Sequence, residues 1–205
     1  MTLIAVLDYG IGNLRSAQKA LQHVGADARL TADPALVRDA AAVVLPGVGA
    51  FGRCMEAIRA GGIDDLAHEA VASGRPFIGI CVGMQLLYEA SEEDPGVDGL
   101  GILAGTVRRL PSGVKHPQMQ WNTLQGHGEA EMLVGVDDPA WVYFVHSFAA
   151  DDPAHTVATC DYGGPATAAV EKDNVFATQF HPEKSAANGL RLLQNFVARC
   201  AGASS

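Results

Sequence analysis

Three short apolar runs restrict this chain more than any other feature: Leu3-Ile4-Ala5-Val6-Leu7, Ala42-Val43-Val44-Leu45 and Pro76-Phe77-Ile78-Gly79-Ile80. None alternates polar with apolar, so each, read as a strand, has to be covered on both faces. Helical patterns follow them. Asn13 is placed to cap a helix whose apolar stripe is Leu14, Ala17, Leu21 and Val24, with Gly25 just past its end. The third run leads through Cys81 into a helical stretch from about Gly83 to Glu89. Strand and helix thus alternate over the first ninety residues, which predicts parallel strands flanked by helices.

The second half reads differently. Candidate strands Thr106–Leu110, Trp141–Val145, Thr156–Cys160, Thr167–Glu171 and Val175–Phe180 are separated mostly by turns, which predicts antiparallel strands added to the sheet. A closing helix is expected over Asn188–Cys200, burying Leu190, Leu193, Phe196 and Val197, and residues 201–205 read as a frayed tail. The expectation is one α/β domain over residues 1–205, with a mixed, mostly parallel sheet between helices.

Composition excludes several classes. A formal charge of −9 and a pI near 5.1 give no electrostatic footprint for nucleic acid. The N-terminus has no positive region before its apolar run, and no run approaches the ~20 residues of a membrane span. Cys54, Cys81, Cys160 and Cys200 are widely spaced, without a CxxC or a Cys/His cluster. That pattern argues against a disulfide framework or a metal site and for reduced thiols in the cytoplasm.

Gly79-Ile80-Cys81-Val82-Gly83 has the G-x-nucleophile-x-G form of a nucleophile elbow, with cysteine at its centre. A nucleophile on a sharp strand-to-helix turn has a strained backbone, and the residues two before and two after it crowd each other, so glycine fits both places. A helix starting behind Cys81 would point free amides at the sulfur. The N–H of Val82 is placed to help bind a developing oxyanion. The plainer alternative is that Cys81 is a small buried hydrophobe, as the other three cysteines are read.

A cysteine nucleophile needs a base, and that base needs an orienting group. His181 ends the run Val175–Phe180 and is followed by Pro182-Glu183. Residues two apart at a strand end face the same way, so Glu183 is placed to hold the His181 imidazole. An ordinary polar turn is the alternative. His23, His68, His127 and His155 read as solvated or capping residues.

Gly47-Val48-Gly49-Ala50-Phe51-Gly52 matches G-x-G-x-x-G after a strand and before a helix. Pro46 at the turn, and the lack of an acid at the distance needed for ribose, argue against a dinucleotide. The better reading is a glycine-rich backbone beside Cys81 that supplies a second oxyanion donor, with a simple tight turn as the alternative.

At this point the chain resembles the class I (triad) glutamine amidotransferases, and within them the branch of glutaminase subunits that serve an imidazole glycerol phosphate cyclase. The strings that carry the resemblance span nearly the whole sequence: Asp8-Tyr9-Gly10-Ile11-Gly12-Asn13-Leu14, Pro46-Gly47-Val48-Gly49-Ala50-Phe51, the Cys81 elbow through Gln85, Gly99-Leu100-Gly101-Ile102, Tyr143-Phe144-Val145-His146-Ser147-Phe148 and Gln179 through Ser185. The resemblance implies Cys81 as nucleophile, His181 as base and then acid, and Glu183 as orienter. It implies an oxyanion hole from Val82, Val48 and Gly49, and glutamine contacts from Gln85, Gly47 and the backbone near Ser147 and Phe148. It implies no cofactor, and a heterodimer with a (β/α)8-barrel cyclase subunit that receives the ammonia in histidine biosynthesis.

Two departures stand out. Val82 occupies a usual leucine position, where only the backbone matters. Pro117-Gln118-Met119-Gln120-Trp121-Asn122 carries glutamine where the family's Pro-His-x-Gly-Trp-Asn has histidine and glycine. A stand-alone cysteine hydrolase or γ-glutamyl peptidase on the same elbow, and a non-catalytic regulatory protein, are the competing expectations.

Overall fold

The computed structural model describes residues 1–126 and 130–202; His127 and residues 203–205 of the expected tail lie outside them. The first half runs β1 (Leu3–Leu7), α1 (Leu14–His23), β2 (Asp27–Thr31), α2 (Pro34–Asp39), β3 (Ala42–Gly47), α3 (Phe51–Ala60), α4 (Ile63–Ala72), β4 (Phe77–Cys81) and α5 (Val82–Gln85). It continues with short β5 (Ala90–Ser91), β6 (Thr106–Arg109), β7 (Gln118–Thr123), β8 (Trp141–His146), β9 (Phe148–Asp151), β10 (Thr156–Asp161), β11 (Pro165–Lys172), β12 (Val175–Thr178) and α6 (Ala186–Gly202).

The central sheet has seven strands in the order β10-β11-β12-β4-β3-β1-β2. β12, β4, β3, β1 and β2 are mutually parallel, while β10 and β11 extend that edge antiparallel. Every residue of β3 and β4 is buried, as the unbroken apolar runs require of strands covered on both faces. The architecture is therefore the mostly parallel α/β sheet expected from the sequence.

Several details differ. Two of the five late strands do not join the main sheet. β6 pairs with β5 and β9 in a three-stranded sheet, and β8 pairs with β7 as a two-stranded ribbon. Val175–Thr178 pairs antiparallel with β11 as expected, but it joins the main sheet parallel to β4 on its other side. The helix after Cys81 is only the single turn Val82–Gln85. The Asn13 side chain accepts from the Ser16 hydroxyl (2.7 Å) instead of capping a backbone amide. The closing helix runs on to Gly202, and it buries Leu192, Leu193, Phe196 and Cys200, with Leu190 and Val197 at the margin.

The elbow rests on close backbone contact. A Cβ at Gly79 would lie 2.9 Å from the Gly83 carbonyl oxygen, so the two glycines do crowd each other. The tighter constraint at Gly83 comes from β3: a Cβ there would run into the Leu45 carbonyl. Backbone atoms of a buried central strand cannot retreat. Gly83→Ala is expected to lower the unfolding free energy by about 1–3 kcal/mol or more through this overpacking. Urea denaturation measures it, and an unchanged midpoint would contradict the packing described.

Candidate active site

Cys81 ends β4 with φ of 56°, a left-handed conformation that a non-glycine residue adopts at a cost of roughly 1–3 kcal/mol. The turn puts the side chain at the carboxyl edge of the parallel sheet, where such sheets form their sites. The register Gly47↔Cys81 brings in the loop after β3, and Thr178↔Ile80 brings in the segment after β12.

His181 lies three residues past the end of β12, not on the strand itself. It begins a 3-10 turn over Pro182–Lys184, and this turn, not strand alternation, aims Glu183 back at the ring. Nδ1 of His181 is 2.8 Å from Oε1 of Glu183, and both side chains are 3% exposed. The backbone is pinned too. His181 N–H donates to the Tyr143 carbonyl (3.0 Å), and the Ser185 hydroxyl donates to the His181 carbonyl (2.6 Å). Oε2 of Glu183 is buried with no hydrogen-bond partner among the described residues, so this carboxylate leans on the imidazole.

Burial opposes a charge on His181, but Cys81 and Glu183 outweigh it and hold the imidazole pKa up to about 9.

A cavity of about 440 Å³ opens over these groups. Cys81, Val82, Gln85, His181, Val48, Gly49, Ser147 and Phe148 all line it, with one carboxylate, Glu93, and one ammonium, Lys184. Gly47 sits one step back. A Cβ there would lie 2.7 Å from the Gly83 nitrogen and 2.9 Å from the Tyr9 hydroxyl. Tyr9 donates to the Pro46 carbonyl (2.8 Å), and burial pushes its phenol pKa far up, so it stays a neutral donor. The Gln85 amide nitrogen is committed inside the protein, donating to the Phe148 carbonyl (3.0 Å) and to the Gln179 side chain (2.9 Å). Gln179 in turn points its NH2 at Cys81 Sγ (3.9 Å).

The glycine-rich loop has its own explanation. The amides of Phe51 and Gly52, which open α3 and would receive a phosphate in a dinucleotide site, donate to Glu93 (2.9 Å) and Asp94 (2.7 Å). The protein fills this anion position with its own carboxylates. Sequence reasoning passed over Glu93, because its capping of α3 lies 42 residues away along the chain. It also passed over His146, which is 5% exposed against the cavity wall. The alternation of Val142, Phe144 and His146 along β8 was the available signal.

Residues 5–200 match the family described as Glutamine amidotransferase class-I. The chain belongs to this family. It is 48% identical over 202 residues to the imidazole glycerol phosphate synthase subunit HisH of Acinetobacter baylyi, covering 96% of this chain and 98% of that protein. It is likewise 48% identical to the HisH subunit of Methanothermobacter thermautotrophicus, covering 95% and 98%. Among solved structures, one described as a glutamine amidotransferase superposes with a TM-score of 0.76 at 22% identity, over 97% of this chain and 98% of that one. PurLQS from Thermotoga maritima gives 0.75 at 21%, over 96% and 98%. At these identities the two structures speak for the fold of this amidotransferase.

The raised pKa of His181 has a signed consequence. A proton held more tightly in the folded state stabilises it fully below the ordinary value of about 6.5, and that contribution is lost as pH rises through about 9. Imidazole NMR is expected to place the His181 midpoint near 9, and to move it down in Cys81→Ala and in Glu183→Gln. A midpoint that stays put in both variants would contradict the assigned causes.

Proposed function

We infer that this chain is the glutaminase subunit of an imidazole glycerol phosphate synthase: it hydrolyses glutamine to glutamate and ammonia, and passes the ammonia to a cyclase subunit in histidine biosynthesis. The observation that carries this reading is His181, held by buried Glu183, opening with Cys81 onto one cavity, in a chain 48% identical along its length to HisH subunits.

In this reaction the Cys81 thiolate attacks the side-chain amide carbon of glutamine. The resulting oxyanion is taken by the Val82 N–H and by the Val48–Gly49 loop. His181, held by Glu183, gives its proton to the departing nitrogen, so ammonia leaves and a thioester remains. His181 then takes a proton from water, which attacks the thioester, releases glutamate and restores the Cys81 thiolate beside protonated His181. Glu93 and Lys184 give the cavity the two charges that zwitterionic glutamine requires, with Glu93 on the α-ammonium side. Gln85 and the Ser147–Phe148 backbone form the wall beside them, with Gly47 behind. The bond changes consume only water and need no cofactor.

The whole chain acts as one amidotransferase domain in the cytoplasm. That placement suits its four cysteines, Cys54, Cys81, Cys160 and Cys200, all of them buried. Among the described residues no helix is long and apolar enough to cross a membrane. The partner in this reading is a (β/α)8-barrel cyclase forming a heterodimer. The β7–β8 ribbon offers a docking surface: Met119, Trp121 and Trp141 are 61%, 44% and 51% exposed, an apolar area of the kind that partners cover.

Glutamate release by the purified chain, with and without a barrel-type cyclase and its nucleotide ligand, tests this. The partner should stimulate turnover strongly, and Cys81→Ala should abolish it by about a thousandfold or more. Turnover indifferent to the partner would remove the synthase assignment, and a normal rate in Cys81→Ala would remove the mechanism. Trp121→Ala is expected to weaken the complex by more than about 1 kcal/mol in calorimetry, as an aromatic anchor does.

A further inference from the structure

Behind the cavity wall lies a buried polar chain that the hydrolysis itself does not use. Gln118 on β7 sits directly opposite His146 on β8 in the antiparallel register. Gln118 is 0% exposed, and the imidazole Nε2 is 2.8 Å from its side-chain oxygen Oε1, one end of an amide whose oxygen and nitrogen are assigned from the hydrogen bonds they make. The other ring nitrogen, Nδ1, is 2.8 Å from the Phe148 carbonyl. That carbonyl also accepts from Gln85 (3.0 Å), and Gln85 reaches Gln179, which points at the Cys81 sulfur. On the far side, the Cys160 sulfur lies 3.9 Å from both polar atoms of the Gln118 amide.

Proton counting fixes the direction of this chain. Burial holds the His146 pKa down to about 4, so the ring is neutral and carries one N–H. A carbonyl only accepts, so that proton sits on Nδ1 and is donated to Phe148. Nε2 must then accept, and Gln118 has to turn its NH2 toward the ring. Its carbonyl thereby faces Cys160, whose thiol burial keeps protonated, with a pKa of about 11. Every member is satisfied in this one arrangement only.

We propose that Gln118 is a positioning residue for glutamine: by donating to His146 it selects the Nδ1–H tautomer, which holds the Phe148 carbonyl and, through it, the Gln85 side of the substrate pocket. The role rests on the glutaminase reading of the site. Gln118 touches no substrate and acts through His146. Replacing it with an apolar side chain leaves Nε2 without a donor, frees the ring to put its proton on either nitrogen, and loosens the carbonyl that Gln85 depends on.

The test compares the wild-type chain with Gln118→Met, Gln118→His and His146→Asn, each in complex with the cyclase and each checked for an unchanged thermal midpoint. Gln118→Met should raise KM for glutamine about tenfold, the factor that goes with losing one buried hydrogen bond, with a smaller change in kcat. Nitrogen-15 shifts of His146 should change from a pure Nδ1–H signature to a mixture. Cys81 should react about tenfold more slowly with a chloromethyl ketone analogue of glutamine, yet at an unchanged rate with iodoacetamide. Gln118→His, which can still donate, should stay near wild type in KM, whereas His146→Asn, which removes the ring through which Gln118 acts, should raise KM as Gln118→Met does.

A KM and tautomer unaltered in folded Gln118→Met would overturn the proposal and leave the glutaminase reading standing. So would an equal slowing with both alkylating agents, because it would mean general damage to the nucleophile. A wild-type complex with no glutamine turnover would instead overturn the glutaminase reading, and the positioning role with it.

Discussion

The approach of Gly83 to the Leu45 carbonyl is the contact on which the site depends. The chain leaves β4 at Cys81 with a positive φ and folds straight onto the neighbouring strand, leaving no room for a side chain at the last glycine of the elbow. With β4 locked against β3 on one side and β12 on the other, the Val48–Gly49 loop and the His181 turn both come to the same edge. The backbone strain at Cys81, roughly 1–3 kcal/mol, is offset by strands such as Phe77–Cys81 in which every residue is buried. One buried Ile or Phe side chain contributes about 1.5–3 kcal/mol on its own.

The charges of the site are arranged by side chains more than by helices. A single turn, Val82–Gln85, has little macrodipole to offer the sulfur. The positive group facing Cys81 is the His181 imidazole, kept charged by the sulfur and by Glu183 against the effect of burial. The other helix start near the site, that of α3, is already neutralised by Glu93 and Asp94. These contacts tie the segment after α5 to the loop beside Cys81. One carboxylate therefore both fixes the loop and lines the cavity.

The sequence carried the sheet and the elbow plainly, because both are written locally: unbroken apolar runs for β1, β3 and β4, and two glycines around Cys81. The His181–Glu183 contact was also legible from the two-residue spacing, though a 3-10 turn and not strand alternation produces it. What stayed hidden depends on long-range pairing. Trp141–His146 reads as a strand in isolation, but nothing within it says that its partner is Gln118–Thr123 rather than the central sheet. Asp27–Thr31 escaped notice because it mixes polar and apolar residues at the sheet's edge. Glu93 and the Gln118–His146 pair were invisible for the same reason, since their partners lie 42 and 28 residues away.

One imidazole has to serve opposite ends of the proposed reaction, first giving a proton to the departing nitrogen and then taking one from water. The causes of its raised pKa explain how a single residue does both. While Cys81 is free, sulfur and Glu183 together hold the proton on His181, which favours thiolate attack and leaves an acid ready for the leaving group. Once the sulfur is acylated it no longer raises the proton affinity of the ring, and only Glu183 still opposes the effect of burial. The proton affinity of the ring then falls, just when ammonia has left with the proton and a base is needed. Release of glutamate frees the sulfur and raises the affinity again. In the proposed reaction acid and base forms of His181 thus alternate in step with the covalent state of Cys81.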